Sequence, residues 1–346
     1  MPFISICQCN EIIVFDNFKG TFYIIVTTEQ KTDDGYQSAK RRIKEIKSAI
    51  YSLQPSISQN INRVDKELVS TTNPDEKTFK SYVKKIKSLI NDGEIMQAVL
   101  SREVSFKGNF NPFTLYRALR LINPSPYMFV YETPEFSLVG SSPEVHVRSV
   151  DGRIDIRPIA GTRWRGKTPE EDDALADDLL ADEKECAEHV MLIDLARNDV
   201  GRISETGTVQ VDDQMIVERY SHVMHIVSNV SGRLSPEHSA YDVLRSTFPA
   251  GTVSGAPKIR AMQIINSLEK NKRGTYSGAV GYFGWDGNHD SCIALRTCVL
   301  KDDKVYIQAG AGVVADSDPT YEYNETVNKA TAMMRAVELA KTLIKP

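Results

Sequence analysis

The chain has little cysteine, histidine or tryptophan: five, six and two among 346 residues. Cys7, Cys9, Cys186, Cys292 and Cys298 are scattered and odd in number, which argues against a disulfide framework. Cys7-x-Cys9 is the one close pair, and no second pair completes a zinc spacing. Free thiols in a reducing, cytoplasmic setting are the expectation. No apolar run is long enough to cross a bilayer. The opening MPFISICQCNEIIVFD lacks the basic start and apolar core of a signal peptide. Charge of one sign is also lacking. A net charge of −4 leaves no basic footprint for nucleic acid or an anionic membrane. Repeats, low-complexity tracts, a dinucleotide fingerprint, a serine–histidine–aspartate elbow and a pyridoxal-lysine signature are all missing. What remains is ordinary globular material, 41% hydrophobic and 25% charged. Its length suits two domains or one large α/β unit.

The patterns favour an α+β fold, because strands come in runs with helices between them. Residues 11–16 and 21–28 read as a hairpin across Asn17–Gly20. Helices are expected from Tyr36 to Leu53 and from Glu76 to Asp92, with a linker over Ser56–Pro74. Gln97–Phe106 reads as a strand and Pro112–Leu121 as a helix. Strands follow at Tyr127–Tyr131, Phe136–Val139 and Glu144–Val150. One long helix is expected over Pro169–Arg197, opened by Thr168-Pro169-Glu170-Glu171. HVMHIVSNVSG (222–232) reads as a strand, and Ala240–Phe248 and Lys258–Asn271 as helices. Tyr276–Trp285, Asp290–Leu300 and Lys304–Ala309 read as strands, and Thr320–Lys345 as a closing helix.

Two glycine-bearing loops lead into helices. FPAGTVSGAPK (248–258) has a G-x3-G-x2-K spacing, which departs from the nucleotide phosphate loop. A plain structural loop and a carboxylate cradle at a helix start both fit it. AGAGVVADSDP (309–319) has Gly310 and Gly312, where backbone can approach a ligand. Glu185 and Glu188 stand three apart on one helix, Glu322 and Glu325 on another. Two unit charges about 4 Å apart repel by roughly 4 kcal/mol at an effective dielectric of 20. On a surface water relieves this; in a cleft a proton or a hard cation such as Mg²⁺ does. His222 and His225 alternate to opposite faces of their strand, so at most one faces a given site. Arg296, in the apolar run CIALRTCVL, needs a carboxylate from protein or substrate. Tyr276 offers a phenolic hydrogen bond. By residues alone, the expectation is an α+β enzyme that uses Mg²⁺ and an anionic substrate.

The combination of blocks is more specific. PIAGT (158–162), DEKECAEHVMLIDLARNDVGR (182–202), YSHVMHIVSNVSG (220–232), FPAGTVSGAPK, SGAVGYF (277–283), CIALRT (292–297) and AGAGVVADSDPTYEYNETVNKA (309–330) occur in family order. The chain resembles chorismate-utilising enzymes, and within them the large component of anthranilate synthases, over about residues 11–340. The resemblance implies large, mostly antiparallel sheets packed as a sandwich with helices outside. It implies a remnant of an N-terminal segment over 1–74, a catalytic domain over 75–340 and a tail over 341–346. Glu185, Glu188, Glu322 and Glu325 match the acids around Mg²⁺, with Glu188 and Glu325 as direct ligands. Tyr276, Arg296, Gly310 and Gly312 match the grip on the enolpyruvyl carboxylate, and Ala160, Gly161, Thr162 and Thr252 line the same cleft. His225 matches the histidine of the elimination step, and Lys329 a lysine near the metal. Asn123, Pro124, Ser125, Tyr127 and Met128 match one wall of a tryptophan pocket.

The implied reaction adds ammonia at C2 of the chorismate ring with loss of the C4 hydroxyl, then expels pyruvate to leave anthranilate. Ammonia would come from a separate glutamine amidotransferase subunit in a hetero-oligomer. Ala160 stands where para-aminobenzoate-type synthases often have lysine, and Gln97 where isochorismate synthases have theirs. Both favour ammonia and full elimination. Trp164 departs from a common proline. The chain also begins at what resembles the last hairpin of a longer N-terminal segment. Weak tryptophan binding and an apolar patch near residues 11–28 are therefore expected. Two alternatives stand beside this reading: formation of 4-amino-4-deoxychorismate without pyruvate loss, and an inactive chain with only a binding role.

Overall fold

The computed structural model describes residues 2–53, 70–220 and 223–343. The chain divides into two compact units, Met1–Ile61 and Asn62–Lys345. In the first, β1 (Glu11–Asp16) and β2 (Thr21–Val26) pair as an antiparallel hairpin with Val14 opposite Tyr23. Helix α1 (Asp33–Ser52) follows, and its N-cap Thr32 accepts from the Gly35 N–H. Residues of both strand faces, among them Ile12, Ile13, Val14, Phe15 and Phe22, are exposed, so the expected apolar patch is present. Most of the stretch read as linker, residues 54–69, lies outside the described residues, as do Ser221, His222 and residues 344–346.

The second unit is built on two seven-stranded sheets, and every pairing is antiparallel. The first runs β12 (Gly255–Ala256), β4 (Gln97–Lys107), β16 (Lys304–Val313), β15 (Thr297–Lys301), β6 (Ser137–Ser142), β5 (Tyr127–Glu132). β3 (Ser70–Asn73) also pairs β4, so these residues are strand rather than linker. The second runs β10 (Gln210–Arg219), β11 (Val223–Arg233), β8 (Arg153–Ile156), β7 (Val145–Val150), β14 (His289–Ile293), β13 (Ala279–Phe283), with β9 (Ile159–Trp164) also on β11. Tyr127 on β5 donates to Asp290 on β14 at 2.8 Å, so side chains of the two sheets meet.

Helices bury the apolar faces of these sheets. α3 (Pro112–Ile122) and α9 (Pro319–Thr342) pack Leu115, Leu119, Met333 and Val337 on Val139, Val305 and Ile307. α2 (Glu76–Asn91) and α8 (Lys258–Leu268) enclose Ala98, Leu100 and Val313 with Phe79, Val83 and Ile264. α5 (Glu183–Gly201) and α6 (Ala240–Thr247) cover Val147, Ile154 and Val230. α4 (Pro169–Ala181) sets Leu179 on Met224 and Ile226. Burying each such side chain stabilises by about 1.5–3 kcal/mol.

Two expectations are corrected. The helix read as continuous over Pro169–Arg197 is two, because Asp182 turns extended (φ −74, ψ 101) and caps α5 through its carboxylate. The strand read over Asp290–Leu300 is also two, in different sheets, with Arg296 between them at φ 46. The four-residue helix α7 (Gly251–Ser254) fills the loop between α6 and β12.

Candidate active site

The N-terminal turns of α5 and α9 carry the paired acids. Asp182 Oδ1 accepts from the Lys184 and Glu185 N–H groups, each at 3.1 Å, and so fixes the turn that presents Glu185 and Glu188. Asp318 does the same for α9, accepting from Thr320 and Tyr321. Helix N-termini favour negative charge, which partly offsets the crowding. Glu322 is only 3% exposed. Burial first, then the Glu325 charge, pushes its carboxyl well above the usual range, and the two lie close enough to share a proton. Glu188 is raised by burial and by Glu325, against a donated hydrogen bond from Gln97 Nε2 at 2.7 Å. Glu185 is raised by burial and then by Glu188. Glu188 and Glu325 thus feel one another's charge across the two helices, while the Glu185 and Glu325 side chains stay partly exposed. Among the described residues, no three His, Cys, Asp or Glu side chains form one ready coordination shell.

Two glycines let backbone into this cleft. A Cβ at Gly312 would sit 2.8 Å from Gln97 Nε2 and 3.7 Å from Glu188 Oε1. One at Gly310 would overlap the Tyr276 hydroxyl and lie 2.7 Å from the Leu100 carbonyl oxygen. Tyr276 is buried, and burial raises its hydroxyl pKa. Arg273 holds it from above, 5.6 Å from the ring centroid. Arg273 also binds Glu269 and the Val253 and Val99 carbonyls, tying the α7 loop to β4. Lys329 Nζ reaches Glu325 at 2.6 Å and the Gly310 carbonyl at 3.1 Å.

His225 lies on β11 beside β9, where Ile226 pairs with Ala160. Its Nδ1 is 2.8 Å from the Gly161 carbonyl and 3.1 Å from Thr162 Oγ1. A carbonyl only accepts, so Nδ1 carries the hydrogen and Nε2 is left with the free lone pair. Burial lowers the imidazole pKa and keeps it neutral. Gly161 has φ 68, and a Cβ there would meet Glu185 Oε2 at 3.3 Å, which places the histidine end beside the acidic end.

Arg296 has no carboxylate in ion-pair range among the described residues. Its Nη1 donates to Asn123 Oδ1 at 3.5 Å, and burial lowers its pKa. Asn123 thus braces Arg296, while Ser125 accepts from Asn123 and Met128 packs on the first sheet's core. Pro124 joins them, and Tyr127 bridges to Asp290.

Sequence reasoning missed Glu144, just ahead of β7. Burial lifts its carboxyl to about 7, with Thr252, Lys329 and Arg296 as the neighbours that pull it back. Thr252 Oγ1 beside it is buried without a well-formed hydrogen bond. The available signal was an acid after Ser-Ser-Pro between two apolar strands. Arg273 was also missed: its pair with Glu269, four residues back, is local, but the Val253 and Val99 carbonyls that fix its place lie on other segments.

Paired acids at two helix starts, a buried arginine without a carboxylate partner and a neutral histidine are what these two sheets and their helices present. The profile for chorismate binding enzymes matches residues 2–335, and the chain belongs to that family. Anthranilate synthase component 1 of Neisseria meningitidis serogroup A is 50% identical over 340 residues, covering 98% of this chain and 69% of the relative. The same-named protein of Acetivibrio thermocellus is 50% identical over 337 residues, covering 96% and 68%. The crystal structure of anthranilate synthase component I from Streptococcus pneumoniae is 42% identical with a TM-score of 0.85, covering 94% of this chain and 72% of that one. The menaquinone-specific isochorismate synthase of Escherichia coli, 24% identical with TM-score 0.76, covers 92% and 72% and shares the fold.

Proposed function

We propose that the chain is the synthase component of an anthranilate synthase, a cytoplasmic lyase of tryptophan biosynthesis that forms anthranilate and pyruvate from chorismate and ammonia. The name carried by relatives at 50% identity over 98% of the chain is the observation that carries this reading. A separate glutamine amidotransferase is the proposed ammonia source. Among the described residues no helix is long and apolar enough to cross a membrane.

The donor set suits Mg²⁺: carboxylate oxygens only, raised by mutual repulsion and burial. Glu188 and Glu325 would hold the ion directly, with Glu185 and Glu322 around them. When bound, Mg²⁺ supplies charge stabilisation at the ring carboxylate. Arg296 and Tyr276, with backbone at Gly310 and Gly312, bind and orient the enolpyruvyl carboxylate. Arg296 is suited to this because its burial awaits an anion. Lys329 holds the Glu325 carboxylate in place. Glu144, protonated near neutrality, donates to the departing hydroxyl. His225 Nε2 takes the C2 proton as pyruvate leaves, while Gly161 and Thr162 fix its ring and Ala160 leaves C2 open. Purified chain given chorismate, ammonium and Mg²⁺ should develop anthranilate fluorescence. An absence of emission with intact chorismate would reject the assignment.

A further inference from the structure

The loop between α6 and α8 brings Thr252 to Glu144, and one buried cation closes it. The loop leaves α6 at Thr247 and enters α8 at Lys258. Lys258 Nζ reaches back to the Thr247 carbonyl at 3.1 Å, so the two ends are tied together. The His146 imidazole donates to the same carbonyl, which has a lone pair for each donor. Lys258 also pairs with Asp199 of α5, and the two side chains are only 12% and 7% exposed. The Ser246 hydroxyl donates to the Asp199 carbonyl at 2.8 Å, which fastens α6 to the same turn of α5.

The two halves of the loop are held from opposite sides. Gly255 and Ala256 pair with Ala98 and Gln97 on β4, and Arg273 Nη1 donates to the Val253 carbonyl at 2.8 Å. Residues 248–251 run against α5 instead, where a Cβ at Gly251 would stand 2.8 Å from Leu195 Cδ1. Thr252 sits where the halves meet. The helix that holds Asp199 also carries Glu185 and Glu188, so the tie at Asp199 sets Thr252 against the same rigid rod as those acids. A buried ion pair is a weak source of net stability, because desolvation offsets its attraction, and apolar side chains of similar volume often fold as well. What they cannot supply is a donor to the Thr247 carbonyl.

We propose that Lys258 is a positioning residue: with Asp199 it pins the loop to α5 and so holds Thr252 at the Glu144 carboxyl for the acid step. The proposal rests on the function proposed above.

The test is kinetic and uses the full chain. The double variant Asp199→Leu with Lys258→Met removes both charges while keeping their shapes, and its urea melt should stay close to wild type. Its kcat should fall about tenfold, short of the roughly 10²-fold cost of a full 1 Å misplacement. KM for chorismate should be unchanged, because Arg296 and Tyr276 lie outside the pinned loop. Thr252→Val should lower kcat by itself, and adding the double variant to it should cost nothing more, since both act at one point. Asp199→Asn, which keeps the shape and an acceptor for Lys258, should give a milder loss that Thr252→Val also absorbs; it decides the matter should the double variant not fold. Wild-type kcat in the folded variant, or losses that add in full to that of Thr252→Val, overturns the proposal. A wild-type chain that makes no anthranilate rejects the function instead. The pin is then decided by a crystal structure of the variant, where Thr252 should have left Glu144; an unmoved Thr252 overturns it.

Discussion

Gly310→Ala probes the geometry of the substrate grip. The new Cβ would overlap the Tyr276 hydroxyl and lie 2.7 Å from the Leu100 carbonyl oxygen. The carbonyl cannot withdraw, since β16 and β4 are paired continuously from Lys304 to Val313. The tyrosine must move instead, against the Arg273 guanidinium 5.6 Å from its ring centroid. Overpacking of this kind destabilises by about 1–3 kcal/mol. A misplacement of about 1 Å at a positioning group costs on the order of 10²-fold in rate. Anthranilate fluorescence with saturating ammonium should therefore show kcat/KM lowered about a hundredfold. A urea melt should show a modest loss of stability. Gly93→Ala is the control: its φ is 78 and no atom lies within 4 Å of the added Cβ. It should cost about 1 kcal/mol of backbone strain and leave kcat/KM alone. Equal activity for Gly310→Ala and wild type, with the melt shifted, would refute a role for Tyr276 in binding.

Other outcomes follow from the same cleft. Glu188→Gln should leave less than about a tenth of the Mg²⁺-dependent activity, within the range of metal-site losses; more would mean that a different acid carries the ion. His225→Ala should let amination proceed while slowing pyruvate release, read by separate assays of the two products; matched rates would remove His225 from the elimination. Glu144 titrates near 7 instead of 4.5, because burial disfavours its charged form. The folded state thus holds the proton more tightly than the unfolded chain. This contribution is fully present below 4.5, and stability and acid catalysis both decline as pH rises towards and through 7. In Glu144→Gln that decline should become shallower, leaving the part that Glu322 and Glu188 contribute, which chemical denaturation across pH 5–8 will show; an unchanged slope would mean that Glu144 is not raised.

Much of the fold was legible because single elements announce themselves. Thr168-Pro169 starts a helix, Gly20 closes a hairpin, and the acid pairs sit on helices as their spacing requires. The breaks were not. Asp182 looks like one more acid in an acidic helix, yet it caps the next one, and that cap aims Glu185 and Glu188. Arg296 could be named in its apolar run, but the left-handed kink there that moves the chain between sheets leaves no mark in hydrophobicity. Tyr276 and Gly310 could each be named, but only β16 pairing with β4 shows why one requires the other. Glu144 takes its importance from partners more than a hundred residues away, and Arg273 from a carbonyl on β4 as distant. Local patterns carry no such information.

The decisive measurement is the product ratio from chorismate, ammonium and Mg²⁺ with the purified chain. Anthranilate and pyruvate in equal amounts are expected, both lost in Glu188→Gln. Accumulation of 4-amino-4-deoxychorismate without pyruvate, or chorismate recovered unchanged, would contradict the assignment.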